Sequence, residues 1–276
     1  MMPSLTVRAI GRAAALTLLT VPLGLAAFQS IAEAKTIAFT ITTTVRSGPD
    51  LSVEVYAKNT GDETAFAVRP TAEFEGQQAR ADSEAKILPG GEHSWMISVT
   101  PTAPGNGAHA MLVRLNYEDA NAYPFEVIAT APFDVGVKKR RPVGGTFIVP
   151  AIPGKTAKDG VLRLAFPEGR GGKYDVRLAL PAGISADKTV FPVTVGDRSA
   201  LKLPVQIRNR SLIEDTVVNV FALVSSLDES TPQTDIVRGN IRIARAEPII
   251  NTGMLGAVLL MAAFYLVVLE LLLLLQ

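Results

Sequence analysis

The chain has 276 residues, a formal net charge of +1, two histidines and no cysteine. Without cysteine there is no disulfide, no thiolate metal site and no cysteine nucleophile. The balanced charge gives no bulk electrostatic pull toward nucleic acid.

The N-terminus opens with Arg8 and Arg12, an apolar stretch over 13–28, and Ala32-Glu33-Ala34. That order reads as a secretory signal peptide over 1–34, cut after Ala34. Pro22 and Gly24 interrupt the apolar stretch and favour cleavage over retention as an anchor. Arg8 and Arg12 are not adjacent, so the twin-arginine pattern is absent.

From residue 37 to about 245 the pattern is β throughout. Short alternating segments are separated by Gly, Pro, Asn and Asp, the signature of an antiparallel sandwich. The first block predicts strands at 37–46, 51–58, 64–75, 93–100, 108–117 and 124–134. Leu51, Val53, Val55 and Ala57 alternate with Ser52, Glu54, Tyr56 and Lys58, which predicts one buried and one wet face. Turns fall at Asn59-Thr60-Gly61-Asp62, Pro89-Gly90-Gly91 and Pro104-Gly105-Asn106-Gly107. A basic joint, Lys138-Lys139-Arg140-Arg141, marks a boundary near 137 and reads as a solvated linker. The second block predicts strands at 145–150, 161–166, 173–180, 189–195, 200–208, 216–225 and 236–244.

A weak internal repeat links the blocks. Val53-Glu54-Val55 leads to Asn59 and then Glu63-Thr64-Ala65. Val205-Gln206-Ile207 leads to Asn209 and then Asp215-Thr216-Val217.

The first block resembles the bacterial Ig-like modules called CARDB and the Ig-like modules appended to some bacterial α-galactosidases. The resemblance rests on the run Val53 to Asp62, on Ile87-Leu88-Pro89-Gly90-Gly91-Glu92, and on Leu115-Asn116-Tyr117-Glu118-Asp119-Ala120-Asn121. Leu178-Ala179-Leu180-Pro181-Ala182-Gly183-Ile184 and Val195-Gly196-Asp197 echo it in the second block. It implies an Ig-like sandwich used for binding, spacing or presentation, with no catalytic residues; fold by itself does not specify function.

Candidate chemistry is sparse. Gly154-Lys155-Thr156 lacks the first glycine of a phosphate loop, since Val149 stands there, and no helix is expected after it. Gly169-Arg170-Gly171-Gly172-Lys173 also fails the spacing and reads as an exposed turn. His93 and His109, on strands taken as neighbours, have a metal alternative with Glu92 or Glu118. Asn116, Glu118, Asp119 and Asn121 have a Ca²⁺ alternative, weighed against a hydrogen-bonded turn. Trp95, Tyr117, Tyr123, Phe125 and Phe133 read as core residues, with a sugar platform as the alternative. No G-x-S-x-G elbow occurs.

The last segment, from Gly253 to Leu275, is long and apolar enough for one membrane-spanning helix. Its single acid is Glu270. Gly253, Gly256, Ala257 and Ala263 supply small side chains on one face for close helix contact, and intramembrane acids are functional suspects. These five residues form the candidate contact with a membrane partner. A GPI-type signal is the alternative, but the polar spacer after Asn251-Thr252-Gly253 is missing.

The expectation is therefore an all-β chain with two tandem Ig-like β-sandwich domains and one C-terminal transmembrane α-helix. Its parts are 1–34, 35–137, 138–247 and 248–276. The expected protein is a non-catalytic scaffold or accessory subunit without catalytic residues, cofactor or metal. It would be single-pass and type I in a bacterial inner membrane, with a periplasmic ectodomain. Its expected partner is an integral-membrane protein, with no nucleic acid. The alternative is a carbohydrate-binding module acting on envelope polysaccharide.

Overall fold

A computed structural model describes residues 36–47, 51–99, 104–136, 141–211, 214–227, 233–246 and 252–274. The expected signal peptide, the joint residues Lys138, Lys139 and Arg140, and the 137 boundary lie outside the described residues.

The first sandwich begins with β1 (Phe39–Arg46), β2 (Leu51–Asn59) and β3 (Ala65–Phe74). It continues through β4 (Gln77–Arg80), β5 (Glu84–Ile87), β6 (Glu92–Val99), β7 (Gly107–Glu118) and β8 (Pro124–Val135). One sheet has the order β1-β2-β6. The other is β4-β3-β7-β8, with β5 also paired to β3. Alternation sets the inward face: Leu51, Val53, Val55 and Ala57 are buried in one core with Trp95, Ile97, Met111, Val113 and Leu115. β4 and β5 were not anticipated from sequence. They are four residues each and largely exposed, so they carry little hydrophobic signal.

β3 carries an irregularity that alternation does not reveal. Its register with β7 shifts between Phe66 and Arg69, and Ala67 adopts φ +49°. The extra residue lets Ala65 and Val68, three apart, both face the core, as a β-bulge does.

The second sandwich starts with β9 (Gly144–Ile148), β10 (Ile152–Pro153), β11 (Ala157–Ala165) and β12 (Gly172–Ala179). It continues through β13 (Ile184–Ala186), β14 (Val190–Val195), β15 (Ala200–Asn209), β16 (Thr216–Ser226) and β17 (Thr234–Ala244). Its sheets run β13-β15-β11-β9 and β10-β17-β16-β12-β14. Leu162, Leu164, Tyr174, Val176, Ile207, Ile241 and Ile243 centre its separate core. The only helix among the described residues, α1 (Thr252–Leu274), follows.

Two turns use glycine as backbone chemistry requires. Gly91 N–H bonds Leu88 O at 2.8 Å around Pro89-Gly90, and Ile184 N–H bonds Pro181 O at 3.1 Å around Ala182-Gly183. Gly90 and Gly183 have φ of +74° and +83°, the third-residue conformation of a type II turn.

The two sandwiches pack sheet face to sheet face. Leu112 and Ile128, on the outer face of β7 and β8, form one cluster with Ala179, Phe221 and the half-buried Ile236 of the second sandwich. Polar contacts frame this cluster. Arg114 Nη1 donates to Glu126 Oε1 at 2.7 Å and to Leu180 O at 3.2 Å. Ala182 N–H donates to the same Glu126 oxygen at 2.9 Å, and Arg177 pairs with Glu73 at 3.1 Å. Sequence does carry the signal. Met111-Leu112-Val113 and Val220-Phe221-Ala222 are buried at three successive positions, as expected of strands covered on both faces.

Candidate interaction surfaces

Two asparagines show how the repeated sequence acts in each sandwich. Asn59, fully buried at the end of β2, donates from Nδ2 to Glu63 O at 2.7 Å and Ile87 O at 3.1 Å. Its Oδ1 accepts from Gly61 N–H at 3.0 Å. Asn209, at the end of β15, donates to Gly154 O at 3.0 Å. Its Oδ1 accepts from Ser211 N–H at 3.0 Å and from the Ser211 hydroxyl at 2.6 Å. Each side chain closes its own turn and ties it to a turn from another strand.

Several of the residues singled out for chemistry are engaged in local structural contacts. Gly154 sits in a turn at φ +51°, with the Thr156 hydroxyl bonded to Pro153 O at 2.8 Å and strand β11 following. In the Gly169–Lys173 segment Gly169, Gly171 and Lys173 are exposed as expected, but Arg170 turns inward. Arg170 is 4% exposed and pairs with Asp235 at 2.6 Å. The hydroxyl of buried Tyr174 donates to Arg170 O at 2.8 Å. The two histidines do not lie on neighbouring strands, because β6 and β7 belong to different sheets. His93 lies 3.4 Å from Glu84 and its ring packs on Trp95. His109 is buried, bonded to Gly105 O at 2.8 Å and stacked on Phe133. Asp119 Oδ1 accepts from Asn121 N–H at 2.8 Å and Tyr123 N–H at 2.9 Å, which makes its loop a hydrogen-bonded turn. Among the described residues no group of three or more His, Asp or Glu is placed to hold a metal ion.

The aromatic residues divide unequally. Trp95 and Tyr117 are buried, and Phe125 and Phe133 pack against the same core; Tyr123 is exposed. Tyr117 stacks on Phe125 with centroids 5.6 Å apart and meets Phe39 edge-on at 5.1 Å. Burial pushes its phenol up to about 12. A phenol raised above its unfolded value of 10 contributes stability that is complete below pH 10 and lost as pH rises toward 12. Comparing the chain with its Tyr117→Phe variant by denaturant unfolding across this range should isolate a loss of about 2–3 kcal/mol. Parallel pH profiles would contradict it.

Outside the core, an open groove of about 470 Å³ runs between β6 and the β4–β5 link, lined by Arg80, Asp82, Glu84, His93, Ser94 and Met96 among others. Among the described residues β6 pairs only with β2, so the groove borders a sheet edge. Its acids and bases are mixed, and no pattern in it selects a ligand.

The remaining surface is α1. Leu260 is 73% exposed and Phe264 71%, and residues 259–273 are exposed on every side. Glu270 and Ala263 are exposed and Gly256 is half-buried. Positions 256, 263 and 270 fall within an arc of about 40°. The side chains of Gly253 and Ala257 lie outside the described residues. Among the described residues no helix is long and apolar enough to cross a membrane. The helical backbone of α1 covers 23 residues.

No family model matches the chain, and no curated protein matches it significantly. Among solved structures it is similar to Salmonella alpha-2-macroglobulin reacted with methylamine, at 14% identity and TM-score 0.33 over 77% of this chain and 16% of that one. It is similar to red sea bream transglutaminase at 12% identity and TM-score 0.26, over 87% of this chain and 34% of that one. It is also similar to the periplasmic chaperone SfaE at 11% identity and TM-score 0.29, over 76% of this chain and 100% of that one. The chain spans only 16% of the macroglobulin's length and 34% of the transglutaminase's. These likenesses carry no argument about function.

Proposed function

We propose that the chain is a non-catalytic, membrane-anchored extracytoplasmic protein whose two Ig-like sandwiches, of the CARDB kind, present a binding surface at a fixed distance from a bilayer. The observation that carries this reading is α1, a 23-residue helix whose residues 259–273 are all exposed and, apart from Glu270, all apolar. Such a surface is stable in hydrocarbon and not in water. The sheet-to-sheet interface supports the same reading, because a hydrogen-bonded, apolar contact holds the two sandwiches as one body. The proposed setting is a bacterial inner membrane, single-pass and type I, with the sandwiches in the periplasm. The proposed partner is an integral-membrane protein met by the Gly253, Gly256, Ala257, Ala263 and Glu270 face.

Membrane fractionation with alkaline extraction tests the anchor. The full chain should stay with membranes, and a chain ending at Ala246 should be released. Full-chain release at alkaline pH would end the reading. Glu270→Leu should leave membrane insertion intact and lose a co-purifying membrane protein, since burying a carboxylate in hydrocarbon without a partner costs about 2.5 kcal/mol or more. An unchanged set of co-purifying proteins would remove Glu270 from the contact.

A further inference from the structure

The strand registers place the two chain ends of the sandwich body at one end of it. In the first sandwich the start of β1 meets the end of β2 (Phe39↔Asn59). The start of β3 meets the ends of β5 and β7 (Ala65↔Ile87, Phe66↔Glu118). In the second, the end of β17 meets the start of β16 (Thr216↔Ile243) and β10 (Ile152↔Ile243). A parallel bridge, Ala108↔Gln233, sets the starts of β7 and β17 side by side, so both strands finish at the same end. The body is therefore entered at Ala38, whose carbonyl accepts from Thr60 N–H at 2.7 Å, and left after Ala246 at this one end.

Hydrogen bonds bring three cations together there. Gly154 N–H donates to Ala244 O at 3.0 Å, Asn209 Nδ2 donates to Gly154 O at 3.0 Å, and Arg210 N–H donates to Gly183 O at 2.7 Å. Lys155 and Arg245 stand one residue beyond these tied positions, Arg210 is itself one of them, and all three are exposed. The first sandwich contributes apolar tips: Leu88 is 54% exposed and Tyr123 52%. Glu214 and Asp215 are exposed at the same end. The first sandwich sets Asp62, Glu63, Glu92, Glu118 and Asp119 at the same end, with Asp119 engaged in its turn.

Five residues, 247–251, separate Ala246 from the start of α1. Six peptide steps reach about 21 Å at most. If α1 is the membrane anchor, this end lies within reach of the headgroup layer and no other end of the body does.

We propose that this end is a lipid-contacting face. Lys155, Arg210 and Arg245 engage phospholipid phosphates, and Leu88 and Tyr123 sit in the interfacial layer, where aromatic and apolar loop tips are favoured. The proposal rests on the anchoring reading and adds that the body lies against the bilayer instead of standing off it.

The absence of cysteine permits single labels on the full chain. Leu88→Cys, Tyr123→Cys and Leu227→Cys variants carry a nitroxide, with Leu227 marking the opposite end (Ser225↔Thr234). Each is reconstituted in nanodiscs of phosphatidylcholine with phosphatidylglycerol. Labels at 88 and 123 should lose access to a water-soluble nickel chelate and gain access to oxygen, and the label at 227 should not. Adding Arg210→Ala and Arg245→Ala should reduce the lipid-contacting fraction by roughly fivefold per residue. Labels at 88 and 123 as wet as that at 227, in chains that enter the discs, would overturn the lipid face and leave the anchor standing. Equal protection in detergent without lipid would assign the contact to protein and also overturn it. Failure of the chain to enter discs at all would overturn the anchor and this proposal together.

Discussion

Asp235→Ala should destabilise the second sandwich by about 3–5 kcal/mol, the cost of removing one member of a buried ion pair. Arg170 is 4% exposed and its guanidinium donates to Asp235 at 2.6 Å. Its Nε also donates to the Tyr174 hydroxyl at 3.4 Å, whose own proton goes to Arg170 O. Removing the carboxylate strips away the strongest acceptor while the guanidinium stays in the core. In detergent-solubilised full chain, thermal unfolding should shift down by about 10 °C or more. The double change Arg170→Met with Asp235→Leu should recover most of the loss, because an apolar pair of similar volume need not be desolvated as ions. A single-variant loss below about 1 kcal/mol would mean that the pair behaves as a solvated one.

Asn59→Ala and Asn209→Ala should each cost about 2–4 kcal/mol, because buried carbonyls and half-buried amides lose a side-chain bridge. Asn59→Ala removes the side-chain bonds to Ile87 O and Gly61 N–H, and Asn209→Ala those to Gly154 O and Ser211 N–H. The aspartate variants sharpen the test. A carboxylate still accepts from Gly61 or Ser211 N–H but turns its second oxygen toward a carbonyl, so Asn59→Asp and Asn209→Asp should be nearly as damaging as alanine above the carboxylate titration range. Urea midpoints with unchanged slopes would measure this. Aspartate variants of wild-type stability would show that the Nδ2 bonds contribute nothing. Matching losses in the two sandwiches would also give the repeated Val-x-Val…Asn pattern one physical meaning in both places.

Much of the β architecture was legible because period-2 alternation is a local property. Leu51 to Lys58 reads as one wet and one buried face in either representation, and the turns at Pro89-Gly90 and Ala182-Gly183 follow from residue types that tolerate positive φ. The short strands β4, β5, β10 and β13 were not legible, since two to four residues carry no period. The bulge at Ala67 was hidden for a related reason: a single inserted residue shifts the parity of a strand without changing its composition.

The side chains thought available for chemistry went the other way. Arg170 sits in a glycine-rich segment that composition marks as solvent-exposed, and only the approach of β17 brings Asp235 to bury it. His93 and His109 lie on strands that follow each other in sequence, but the chain crosses from one sheet to the other between them. Asn59 looked like a turn residue and proved to be a buried strut.

The amino-acid sequence alone determined the local terms: β periodicity, turn positions, the absence of thiol chemistry and the apolar C-terminal helix. Each depends on neighbours within a few residues. Only the tertiary structure decided that the sandwiches share a sheet-to-sheet interface, that Arg170 and the two asparagines are buried, and that Lys155, Arg210 and Arg245 gather at one end. Those facts depend on which distant strands pair, through cross-strand hydrogen bonds and burial between residues dozens of positions apart. No window along the chain contains both partners.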